Sequence, residues 1–98
     1  MSERRERLER NIARVVSDHI PHLKDPRIPM IVTVERVRLS ADLRSAFVLV
    51  SSLEGGDEEL VVALNHASGH LQRNISAELA LKRTPKLSFT TDPTKVLP

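Results

Sequence analysis

The chain has no cysteine, no tryptophan and no tyrosine, and only two phenylalanines, Phe47 and Phe89. The lack of cysteine excludes disulfides and thiolate metal sites and suits a reducing compartment. The scarcity of rings argues against nucleic-acid recognition by bases stacked on exposed aromatics, the mode of RRM and OB domains. No apolar run approaches the roughly 20 residues of a membrane span; the best, "AFVLVSSL" from Ala46 to Leu53, is strand-length. The charged opening "MSERRERLER" is followed by no continuous apolar segment, so it does not read as a secretory signal. A cytoplasmic protein without a membrane partner is expected. Glycine is scarce as well, and one of the three, Gly69, falls inside a helical pattern.

What is present reads as one α+β domain spanning 1–98, since 98 residues leave no room for a second core. The formal charge of +2 is small but unevenly spread. Glu54, Asp57, Glu58 and Glu59 cluster in "LEGGDEE". From Leu60 onward Arg73, Lys82, Arg83, Lys86 and Lys95 face only Glu78 and Asp92. That second part is a footprint suited to phosphate, although an ordinary solvated face would show the same balance.

Leu8, Ile12, Val15, Val16, His19 and Ile20 form a helical stripe over about 4–20, stopped by Pro21. His19, on that stripe, reads as a satisfied core-edge histidine. "MIVTVERVRL" and "AFVLVSS" read as an antiparallel hairpin joined by "SADLRS". The apolar parity changes within the first strand: Val32 and Val34 share one face, Val37 and Leu39 the other. A β-bulge at Glu35-Arg36 would return all four to the core. Leu60, Leu64, Ala67, Leu71, Ile75 and Leu79 mark a long helix over about 57–82, weakened at its centre by "ASG". Thr84-Pro85 ends it, "KLSFTT" is a third strand, and the tail 92–98 is expected to be loose.

The order helix, strand, strand, helix, helix, strand, with small residues between the last two helices, is the layout of a KH-type nucleic-acid-binding domain. KH domains place a GxxG loop there, which this chain lacks. "KDPRI" (24–28), "VTVERVRLSADLRSAFVLVS" (32–51), "ALNHASGHLQRNI" (63–75) and "LALKRTPKLSFTTD" (79–92) together resemble the ribosome-binding factor A family, in family order and over nearly the whole chain. That resemblance implies a KH-like three-stranded sheet with helices on one face and an Ala-x-Gly kink, here Ala67-Ser68-Gly69, in place of GxxG. It further implies binding to free small (30S) ribosomal subunits and 16S rRNA, support of late subunit maturation with 5′-end processing, and a role in growth in the cold. The chain departs from the commoner pattern in its short tail, in Pro21 and in Ser68.

The RNA-binding candidates are Asn65, His66, Ser68, Gly69, His70 and Arg73 around the kink, Lys82, Arg83 and Lys86 after it, and Lys24 and Arg27 in "KDPR". Arg4, Arg5, Arg7 and Arg10 are weaker candidates, because Glu3, Glu6 and Glu9 interleave with them at helix ion-pair spacing. His66 and His70 are four apart but lack the Glu and third ligand of a zinc motif, so no metal is expected. No activated nucleophile, phosphate-cradling glycine loop or carboxylate pair is evident, so neither catalysis, a cofactor nor a small-molecule substrate is expected. A monomer that docks on RNA is the leading reading. The alternative is a protein-interaction module using Phe47 and Leu49 on the open sheet face.

Overall fold

The computed structural model describes residues 3–96. Helix α1, Glu3–His19, buries Ile12, Val15 and Val16 completely and then tightens into a 3-10 turn at Ile20–His22, where Pro21 prevents its continuation. An extended segment leads into β1, Thr33–Leu39, which pairs antiparallel with β2, Ser45–Ser51. The register shifts between Val34 and Arg36, which makes Glu35 the extra residue of a bulge. Val37 and Leu39 are consequently buried, and Val32 and Val34 pack against the same core. Strand β1 is shorter than the apolar pattern suggests, because Met30 to Val32 do not pair.

The interrupted helix is two helices, α2 at Asp57–His66 and α3 at Ser68–Leu79. Helix α3 ends at Leu79, three residues before the expected position 82, and is capped by Ala80, whose φ of 52° is left-handed. Strand β3, Lys86–Thr90, then lies parallel to β2 and completes a sheet of order β1-β2-β3. A parallel neighbour needs a long crossover, and α2 with α3 supplies it. All three helices cover one face. Leu60, Leu64, Leu71 and Ile75 join Ile12, Val15 and Val16 over Val37, Leu39, Ala46, Val48, Val50, Leu87 and Phe89 in a single cluster. Each such aliphatic side chain, fully buried, contributes about 1.5–3 kcal/mol.

Three backbone amides on the two outer strands donate to helix side chains. The Leu39 amide donates to the buried Glu9 carboxylate at 2.8 Å. On the opposite edge Leu87 donates to Gln72 Oε1 at 3.0 Å and Phe89 to Asn65 Oδ1 at 2.9 Å. A bare edge would invite pairing with another chain, so these three side chains act as surrogate strand partners. Helices α1 and α3 are clasped by His19 Nε2 and Glu78 Oε2 at 2.5 Å, which gives the stripe histidine its partner. The described part of the tail differs from the loose segment expected. Pro93–Val96 forms a 3-10 turn packed on β2 and β1, with Val96 buried, while Leu97 and Pro98 lie outside the described residues.

Candidate nucleic-acid interface

The break between α2 and α3 is a single residue. Ala67 has φ −88° and ψ 3°, outside the helical well. Its amide is shared between the carbonyls of Ala63 at 3.0 Å and Leu64 at 3.1 Å, and its own carbonyl accepts from Leu71 at 3.1 Å. The backbone therefore bends and resumes without forming a loop. Gly69 lies in the first turn of α3 and does not adopt a left-handed φ. A Cβ added there would meet only Arg73 Nη1, at 3.8 Å, an ordinary contact. The fold accommodates alanine at this position, so packing does not explain the glycine.

Gly69 opens onto a cleft lined by Arg44, Ser68, Gly69, Gln72, Arg83, Thr84 and Lys86. Among the described residues three cations line it and no carboxylate does. Arg44 is the residue that sequence reasoning missed, and local chemistry explains its position. In the β1–β2 turn Asp42 Oδ1 accepts from the Ser40 hydroxyl at 2.6 Å and from the Arg44 amide at 3.0 Å. The Ser45 amide donates to Ser40 Oγ at 3.0 Å. These bonds hold the Asp42 carboxyl below its usual range, the Ser40 hydroxyl being the larger cause and the Arg44 amide the next. Leu43 takes a left-handed φ of 62° within the same turn. The Arg44 carbonyl then accepts from the Lys86 amide at 2.9 Å, which fixes Arg44 and Lys86 side by side where the parallel strands begin. Gln72, bonded to Leu87, holds α3 against that strand end.

Across the kink a second hollow is lined by Leu23, Lys24, Asp25, Pro26, Arg27, His66 and Ala67. Asp25 accepts from the Arg27 amide at 2.9 Å, from Nε at 3.0 Å and from Nη2 at 2.6 Å. The Arg27 side chain, then its amide, hold the Asp25 carboxyl down at about 2, and the guanidinium is held above its ordinary value in return. Arg27 is thus already committed to a carboxylate, whereas Lys24 makes no ion pair among the described residues.

The sequence candidates therefore divide. Ser68, Gly69, Arg83 and Lys86 share the basic cleft, and Arg73 lies over Gly69. His66, Lys24 and Arg27 share the second hollow. His70 and Lys82 line neither. Asn65 has its amide engaged by the Phe89 backbone, so its place is in the fold's edge. In the N-terminal arginine cluster, Arg10 lines a groove beside Glu6, Glu9 and Glu35, a mixed surface poorly suited to phosphate. No group of three or more His, Asp or Glu side chains is placed to hold a metal among the described residues, and no described helix is long and apolar enough to cross a membrane. Phe47 is 39% exposed and Leu49 half-buried, so the open sheet face offers one aromatic edge.

The family described as "Ribosome-binding factor A" matches residues 4–95. The Rubrobacter xylanophilus ribosome-binding factor A is 44% identical over 96 residues, covering 96% of this chain and 79% of that protein. The Clostridioides difficile protein of the same name is 36% identical over 90 residues, covering 91% and 71%. Among solved structures, the crystal structure of ribosome-binding factor A from Thermus thermophilus aligns with TM-score 0.78 at 32% identity, covering 87% of this chain and 92% of that one. A homology model of the Thermus thermophilus ribosome binding factor A, fitted into the cryo-EM map of its complex with the 30S subunit, aligns with TM-score 0.69 at 30% identity, covering 91% of both chains. By sequence and by fold alike, the chain belongs to the ribosome-binding factor A family.

Proposed function

We propose that this protein binds the free small ribosomal subunit and its 16S rRNA through the cleft at the helix break, assisting late maturation of that subunit and processing of the 16S 5′ end. The observation that carries the reading is the union of an uncrowded glycine with Arg44, Arg83 and Lys86 in a cleft free of carboxylates. Like charges gathered in this way repel one another in the free protein, and a phosphate backbone relieves that repulsion. A glycine without a methyl lets the sugar-phosphate chain approach the helix closely, and the backbone of such helix starts favours anions. With so few rings, recognition rests on phosphate contacts and shape rather than base stacking. The role is that of a bound assembly factor acting as a monomer in the cytoplasm, without catalysis, and the homology model of one relative fitted to a 30S complex supports the partner assignment.

Co-sedimentation with purified small subunits, with assembled ribosomes and bulk tRNA as competitors, tests the reading. Saturable binding to free small subunits that weakens with salt is expected. Equal binding to every RNA would reject it. Loss of the protein in cells should leave 16S rRNA with an extended 5′ end, more so at low temperature, and mature ends in such cells would reject the processing role.

A further inference from the structure

The end of the molecule opposite the basic cleft has the reverse character. Strand β2 leaves the cleft at Ser45, beside Arg44, and six residue steps later, about 20 Å away, reaches Ser51, paired with Thr33. The chain segments entering β1 and leaving β2 emerge together at that end. They carry Met30, 87% exposed, Ile31, 68% exposed, and Leu53, which is fully exposed. Val62 on α2 is also exposed. It lies one helical turn beyond Glu59, on the helix that begins four residues after Leu53. Glu35, whose carboxylate accepts from the Ser51 hydroxyl, belongs to the same end, and Glu54, Asp57, Glu58 and Glu59 follow Leu53 in the chain; all five are exposed and none is in an ion pair among the described residues.

Acids at Asp57, Glu58 and Glu59 suit the first turn of α2. That accounts for their sign but not for methionine, isoleucine and leucine held in water beside them, an arrangement that marks interaction sites. Phosphate would be repelled here. A partner must bring apolar groups for Met30, Ile31 and Leu53 and positive charge for the rim. We infer that this end docks a basic, amphipathic segment of another protein, leaving the opposite end free for nucleic acid. The apolar groups supply affinity and the acid rim supplies orientation and speed of encounter. The inference stands on this end of the molecule alone and does not depend on what the basic cleft binds.

The test is an NMR titration of the isotope-labelled full chain with a synthetic amphipathic peptide of lysine and leucine, run beside a lysine–serine peptide of equal charge and a short oligoribonucleotide. Saturable shifts confined to residues 29–32, 53–59 and 62 are expected from the lysine–leucine peptide. Either Ile31→Ser/Leu53→Ser or Glu54→Lys/Glu58→Lys, all at exposed positions, should weaken binding about tenfold, equivalent to 1.4 kcal/mol. Unchanged affinity in both variants, equal binding of the lysine–serine peptide, shifts spread over the whole surface, or the same residues responding to the oligoribonucleotide would each overturn the inference.

Discussion

Replacing Gly69 with alanine separates what the fold needs from what the site needs. Gly69 has an ordinary helical environment, and the added methyl would meet only the flexible end of Arg73 at 3.8 Å. Glycine in a helix interior costs about 1 kcal/mol relative to alanine. The first-turn position of Gly69 reduces that difference, so Gly69→Ala should stabilise the protein by about 0.5–1 kcal/mol. For a domain of this size the upper figure corresponds to a rise in Tm of roughly 4–8 °C. Gly69 is also part of the lining of the cleft formed with Arg44, Arg83 and Lys86, so any added side-chain bulk there narrows the approach to the helix backbone. Affinity for small subunits should therefore fall by about tenfold, or 1.4 kcal/mol. Thermal unfolding by circular dichroism and a subunit-binding isotherm read the two effects separately. A lower Tm would refute the claim that packing tolerates alanine. A higher Tm with unchanged affinity would refute the claim that close approach at Gly69 matters.

Asn65→Ala leaves the Phe89 amide without its acceptor and should cost about 1–3 kcal/mol, with faster hydrogen exchange at Phe89, measurable by denaturation and NMR. Ala80→Gly relieves a left-handed φ of 52° and should raise stability by about 1 kcal/mol in urea unfolding. The Asp25 carboxyl should titrate near 2, well below its ordinary 3.8, and return toward 3.8 in Arg27→Gln. Because that carboxyl is depressed in the folded state, the Asp25–Arg27 link contributes fully above pH 3.8 and is lost as pH falls through about 2. A carbon-detected pH titration that finds Asp25 at its ordinary value would contradict the geometry of that loop.

The elements are legible where periodicity carries the information. The parity change between Val34 and Val37 locates the bulge, because only an inserted residue returns Val37 and Leu39 to the core. The weak helix formers Ser68 and Gly69 flag the break, although the residue that leaves the helical well is Ala67. What the pattern does not show is which element ends converge. In the sequence Arg44 is one more loop charge, and it becomes part of the site only because β3 pairs parallel to β2 and starts beside it. Asn65 reads as RNA-facing by its place next to the kink, but the edge strand claims its amide. The tail gives no periodic signal in a few residues, and Val96 finds cover that depends on the finished sheet.

The salt dependence of small-subunit binding, for the wild type and for Arg44→Glu/Arg83→Glu, decides whether RNA meets the cleft at the helix break. Both side chains line the cleft and neither makes an ion pair among the described residues, so Tm should change little. If each contacts one phosphate, the slope of log affinity against log salt should become shallower by about 2, with weaker binding at every salt concentration. A double variant that remains folded and keeps the wild-type affinity and slope would show that the cleft at the helix break is not where this protein meets RNA.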